Sequence, residues 1–271
     1  MDEEVDVRLN DGVFISRPKP TSARISMILW GEQGSGKTTL AATAPGDKLF
    51  MLFDPNGTST ILGRSDVYEM DLTGVSLTTI NTELKKPDPF GMGKRLSTMP
   101  NIKTIVIDSL TRLWDDAIEA AVAVAKSTAE LPGIPGYSAR NTFIKRAVSS
   151  LMRLASKLDM HIIFILHNGN PELNLQGQVS NNPPILSARL LQPLAISFSE
   201  IWYLESDAKD GHKIYLRANK ARKFMKTRMF DTSETSELVW RFNPQSMKGD
   251  GISTWFDKWS NNAGRQLAVP K

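Results

Sequence analysis

The 271-residue sequence contains no cysteine. That excludes disulfides, thiolate chemistry and a cysteine-ligated zinc cluster. Histidine is scarce as well: His161, His167 and His212 are too few and too scattered to build a metal site between them. No apolar run approaches the roughly 18 residues of a membrane span. The opening residues, Met1-Asp2-Glu3-Glu4-Val5-Asp6, are acidic and polar, unlike the basic-then-apolar start of a secretory signal. The expectation is a soluble protein of the cytoplasm with no membrane partner. With 41% hydrophobic and 23% charged residues the composition is that of an ordinary globular chain, long enough for one large α/β domain or two small ones.

The net charge of +4 is a weak signal, but its distribution is uneven. Lys213, Arg217, Lys220, Arg222, Lys223, Lys226 and Arg228 follow one another without an acidic residue between them. Lysines on a strand edge block edge-to-edge pairing, and a run of cations equally fits an anionic partner, phosphate or nucleic acid. Both readings stay open at this level.

The most specific feature is Gly31-Glu32-Gln33-Gly34-Ser35-Gly36-Lys37-Thr38, which fits the phosphate-binding pattern G-x-x-x-x-G-K-[ST] at every fixed position. Ile25 to Trp30 before it reads as a buried strand. Thr38-Thr39-Leu40-Ala41-Ala42-Thr43-Ala44 after it reads as a helix stopped by Pro45-Gly46. Glycines at these places let successive backbone N–H groups point inward, and the helix start adds partial positive charge. The pattern predicts that residues 31–39 bind a nucleoside triphosphate. Lys37 would lie on the β- and γ-phosphates, and the Thr38 hydroxyl on Mg²⁺.

Along the rest of the chain, apolar strand-like runs alternate with helical patterns, which predicts a mostly parallel sheet flanked by helices. Expected strands are 48–53, a short one within 65–72, 102–107 ending at Asp108, and 161–166. Antiparallel-looking strands follow at 196–204, 213–218, 227–230 and 238–242. Helices are expected over 110–130 and 139–158, with Pro/Gly-punctuated loops at 87–100 and 131–136. Residues 167–192 read as a long polar, structureless insert, a length that is usually functional. The organisation expected is an N-terminal arm at 1–23, a core at 24–243 and a tail at 244–271 in which Trp255, Phe256 and Trp259 dock as a satellite cluster.

An acid closing an apolar strand near a P-loop holds the metal ion in such enzymes, and Thr104-Ile105-Val106-Ile107-Asp108 has that form. The next residue is Ser109, not the Glu whose presence would have pointed to the AAA+ group. With its Asp-Ser end, Ile105-Val106-Ile107-Asp108-Ser109-Leu110 resembles the corresponding strand of RecA-like recombinases. The order of elements is similar as well, most of all to short phage-encoded RecA-like ATPases of the recombinase and single-strand annealing group. The resemblance covers about residues 24–243.

That resemblance implies an ATP- and Mg²⁺-dependent enzyme that binds single-stranded DNA and self-associates into a filament or ring, in host cytoplasm if phage-encoded. It implies that His167, closing a strand, senses the γ-phosphate. Lys220, with Arg217 offset beside it, would reach a neighbouring subunit's ATP, and loops 131–137 and 168–192 would contact DNA. One position departs from the family. The second strand there ends Asp-x-Glu, and the Glu orients the attacking water; here it ends Asp54-Pro55-Asn56. An amide cannot accept the proton, so slow hydrolysis is expected unless Asp54 substitutes. Two other functions remain alternatives: a nucleotide-controlled protein-binding module with weak hydrolysis, and part of a DNA-packaging or loading motor.

Overall fold

The computed structural model describes residues 7–8, 14–15, 23–55, 57, 59–125, 134–170, 172–173, 179–181, 183–186, 188–207, 211–219, 224–241 and 249–270. Its centre is an eight-stranded sheet. The strands are β1 (Ser26–Gly31), β2 (Asp47–Leu52), β3 (Val67–Asp71), β4 (Ile102–Asp108), β5 (His161–His167), β6 (Glu200–Asp207), β7 (Gly211–Tyr215) and β8 (Glu237–Trp240). They lie in the order β8-β7-β6-β1-β5-β4-β2-β3. From β6 to β3 every neighbouring pair is parallel, and β7 and β8 close the other edge antiparallel. The expected α/β class, with a mostly parallel sheet and an antiparallel finish, is what is observed. Among the described residues no helix is long and apolar enough to cross a membrane.

Parallel strands covered on both faces need apolar residues at every position rather than at alternate ones. Ile105-Val106-Ile107 and Ile162 to Leu166 supply such runs, all of them buried. Because successive side chains point to opposite faces, each strand feeds two cores. Ile28, Trp30, Ile105, Ile107 and Phe164 pack against helices α4 (Leu110–Ala125) and α5 (Ile134–Lys157), through Leu113, Ile144, Val148 and Leu151. Met27, Leu29, Val106, Ile163 and Trp202 pack on the other face against α1 (Lys37–Ala41) and α7 (Ile252–Asn261). Three further helices, α2 (Leu77–Leu84), α3 (Met92–Leu96) and α6 (Ala188–Ala195), belong to the first of these layers through Ile80, Met92 and Leu190.

Several local expectations change. Residues 87–100 hold α3, nucleated where the Asp88 carboxylate accepts from the Gly93 and Lys94 amides. α5 begins at Ile134, so Pro135 and Gly136 lie in its first turn, where proline's missing N–H has no helical partner to lose. The insert expected at 167–192 is not structureless, and His167 itself ends β5. Glu172–Leu173 pairs with Val179–Asn181, and α6 starts at Ala188, burying Leu190 and Leu191. β6 begins at Glu200 and runs parallel to β1, in place of the antiparallel strand expected from residue 196. Trp255, Phe256 and Trp259 are not a satellite cluster: they belong to the same buried core as Trp202 and Phe230.

Candidate functional site

β1 lies inside the sheet between β6 and β5, with β4 one strand beyond β5. The loop that leaves β1 therefore opens over the same sheet edge at which β4 and β5 end. The sequence of the turn is dictated by space as much as by dihedral angle. A Cβ on Gly31 would lie 2.1 Å from the Leu204 carbonyl oxygen of β6, so only glycine lets the loop depart there. Gly36, at φ +88°, caps α1 in the left-handed region open to glycine.

Lys37 is 5% exposed and folded back onto its own loop. Its Nζ donates to the carbonyls of Gly31 at 2.9 Å and Glu32 at 2.6 Å, with Ser35 Oγ at 3.4 Å. Burial lowers its pKa to about 8, against the opposing pull of Asp108 and Glu32. A phosphate entering the loop would take over the ammonium from those carbonyls.

Thr38 Oγ1 donates to Asp108 Oδ2 at 2.9 Å, joining the start of α1 to the end of β4 across 70 residues of sequence. Asp108 is 4% exposed. Burial raises its pKa to about 6, and Asp54 adds to that, while Thr38 and Lys37 oppose it. A carboxylate held out of water beside a hydroxyl is short of cationic partners. Mg²⁺ takes one or two protein oxygens and completes its shell with phosphate and water. The Thr38–Asp108 pair fits that demand, and among the described residues no cluster of three or more His, Asp or Glu offers a fuller metal cage.

His167 ends β5, and its backbone N–H donates to Thr111 Oγ1 at 2.9 Å. Burial lowers the ring's pKa, Lys37 adding to the effect and Asp54 opposing it. Asp54 lines the same cavity as Asp108 and His167, close enough for its charge to act on both. β2 stops at Leu52, so Asp54 stands in the turn beyond the strand, with its carbonyl accepting from Gly57 N at 3.1 Å.

These groups line one cavity of about 400 Å³. It brings together Lys37, Thr38, Thr39, Asp54, Asp108 and His167, with Gln33, Gly34 and Gly36 along the loop side. Gly31, Glu32 and Ser35 complete the loop behind them. Arg217 does not line the cavity; it is exposed beyond β7. Asn56 and Lys220 lie outside the described residues, as do 131–133 of the first expected DNA loop. The described part of that loop, 134–137, is the first turn of α5.

Sequence reasoning misses Gly57, Ser59, Thr60, Ile165 and His212 among the lining residues. Among the described residues His212, second in β7, is the single contribution of the antiparallel edge to the cavity. It is remote in sequence from Gly36 and Lys37, and no motif announces it. What brings it to the loop is the ladder, which sets His212 opposite Ser206 of β6 and Trp240 of β8.

No curated protein matches the chain. A solved structure described as the RadB recombinase is similar at 14% identity and a TM-score of 0.45, over 82% of this chain and 88% of its own. Residues 23–239 match the family described as AAA domain. The P-loop, the acid on β4 and the intervening β5 lie within the matched span, and the chain belongs to the AAA domain family.

Proposed function

We propose that this protein is an ATPase that binds ATP with Mg²⁺ in the cavity between the Gly31–Thr38 loop and Asp108, hydrolyses it slowly, and acts on single-stranded DNA as a self-associating assembly. The observation that carries the nucleotide reading is the meeting of Lys37, Thr38 and Asp108 at one end of the sheet, with Thr38 and Asp108 in direct hydrogen bond. Lys37 would leave the Gly31 and Glu32 carbonyls and neutralise the β- and γ-phosphates. Thr38 and Asp108 would hold Mg²⁺, which when bound offsets phosphate charge. Asp54, across the cavity, is the carboxylate available to accept a proton from water, and His167 would register the terminal phosphate. Asn56 in place of a glutamate is the reason for expecting slow turnover.

The DNA reading rests on the resemblance to RecA-like ATPases and on the cations between Lys213 and Arg228. A phage-type role in recombination, repair or replication rests on the resemblance alone. DNA affinity carried by phosphate contacts falls steeply with salt. Binding of a labelled single-stranded oligonucleotide, with and without ATP and Mg²⁺, tests it. ATP-stimulated, salt-sensitive binding is expected. Nucleotide binding with no DNA binding at any salt concentration would instead favour a nucleotide-controlled protein-binding module. For the site itself, Lys37→Ala should abolish tight ATP binding in a folded protein, and unchanged affinity would remove the assignment.

A further inference from the structure

Helix α5 carries Arg140, Lys145, Arg146, Arg153 and Lys157 and not one acidic residue. Helical cations are commonly balanced by acids three or four positions away, as Arg112 of α4 is by Asp116 at 3.0 Å. Lys145, Arg146, Arg153 and Lys157 are exposed, and none has an ion pair among the described residues. Thr142, Arg146, Ser149, Arg153 and Lys157 follow at steps of four, three, four and four, so they share one face of the helix. It is the face opposite Ile144, Val148 and Leu151, which are buried. The acids of the neighbouring segment are already engaged: Glu83 pairs with Lys86, and the Asp88 carboxylate accepts from the Gly93 and Lys94 amides.

Toward its N-terminal end α5 borders a second cavity, of about 540 Å³, shared with α2 and α4. Arg146 lines it and also belongs to the cationic row. Arg140 is the other cation there, and among the described residues no acid lines the space. The Arg140 guanidinium sits over the Trp114 ring, 3.6 Å from its centroid. Its Nε is buried without a hydrogen-bond partner, and Asp115 acts on it by charge alone. Stacking thus orients the fork and leaves its N–H donors for a ligand. Phe143 and Ala121 give the cavity an apolar wall, while Asn81 and Ser138 offer an amide and a hydroxyl.

A row of uncompensated cations attracts a polyanion. A cavity beside it that combines an apolar wall with hydrogen-bonding groups narrows the choice. The bases of a single strand can splay away from the backbone and enter such a space, whereas those of a duplex are stacked and paired. Resting on the single-stranded DNA reading above, we propose that the strand runs along the outer face of α5, with phosphates on Arg146, Arg153 and Lys157 and one base in the cavity beside Arg140. The row from residue 146 to 157 is roughly 16 Å long. It is separate in sequence from the Lys213–Arg228 cations, and among the described residues α5 contributes nothing to the nucleotide cavity.

The test measures binding of the full chain to a labelled single-stranded oligonucleotide over a salt series, with ATP and Mg²⁺. The double variant Arg146→Gln, Arg153→Gln should bind about tenfold more weakly at low salt. Its plot of log affinity against log salt should be shallower by about 1.4, two phosphate contacts at about 0.7 each. Both positions are exposed and lie outside the nucleotide cavity, so melting temperature and ATP affinity should hold. Ala121→Leu fills the second cavity. It should weaken binding of the oligonucleotide and leave binding of an abasic strand of equal length unchanged. Should that variant not fold, wild type decides the point: it should hold the base-bearing strand more tightly than the abasic one, and equal affinity refutes the base seat. A double variant with wild-type affinity and salt slope overturns the proposal, as does a preference of wild type for duplex over single strand. Wild-type protein that binds no single-stranded DNA overturns instead the reading on which the proposal rests.

Discussion

Glu200 opens β6 at 0% exposure, and it should tie the stability of the fold to pH. Its Oε2 accepts from Trp202 Nε1 at 3.0 Å and from Thr227 Oγ1 at 2.6 Å, and its Oε1 from the Arg228 N–H at 3.1 Å. Burial nevertheless dominates and raises its pKa to about 7, with those hydrogen bonds and the Arg228 charge opposing. The sign follows from proton counting. Between the unfolded value, about 4.3, and the folded one, the native state holds more protons than the unfolded state, so stability falls as pH rises through that window. Each pKa unit is worth about 1.4 kcal/mol, and integrating from pH 5 to pH 8 gives a loss of about 2–3 kcal/mol assignable to this side chain. Asp108 adds a slope of the same sign, so the measurement must be a difference between proteins. Glu200→Gln has the shape of the protonated acid and does not titrate. Relative to wild type it should gain about 2–3 kcal/mol on going from pH 5 to pH 8, read from urea unfolding at both pH values. A difference that stays constant with pH, or moves in favour of wild type, would refute the reasoning.

Three other perturbations address the site and its support. Asp54→Asn should remove most ATP turnover if Asp54 is the proton acceptor, while Asn56→Glu should then do little; the reverse pattern in one hydrolysis assay would return the role to position 56. Asp108→Asn should leave the protein folded and weaken the Mg²⁺-dependent part of ATP binding, which titrations with Mg²⁺ and with chelator separate. Arg64 donates to Asp66 and to the Ala42 carbonyl at the end of α1, pinning the segment that follows Asp54. Arg64→Ala should cost about 1–3 kcal/mol by leaving partly buried acceptors unmet, seen as a lower melting temperature.

Much of the site was legible because its chemistry is local. Gly31 to Thr38 lie within one turn, and the physics of that turn, N–H groups converging where a helix begins, belongs to consecutive residues. The parallel sheet was legible for a similar reason: runs such as Ile105-Val106-Ile107 are apolar at every position, which only burial on both faces explains. Element ends were less visible. Pro135 and Gly136 read as breakers, yet proline is harmless in a first helical turn. β2 stops at Leu52 rather than carrying on to Asp54.

Contacts made across the sheet belong to the tertiary structure alone. Asp108 could be read as a metal-binding acid, but that it bonds Thr38, 70 residues away, depends on β5 entering between β1 and β4. His212 carried no signal, because its meeting with Gly36 is set by the register of β7 against β6 and β8. Glu200 likewise owes its burial to the fold around it. Local sequence determined which residues could cradle phosphate. The order and register of the strands decided which distant side chains stand around it, since strand pairing joins positions by geometry and not by separation along the chain.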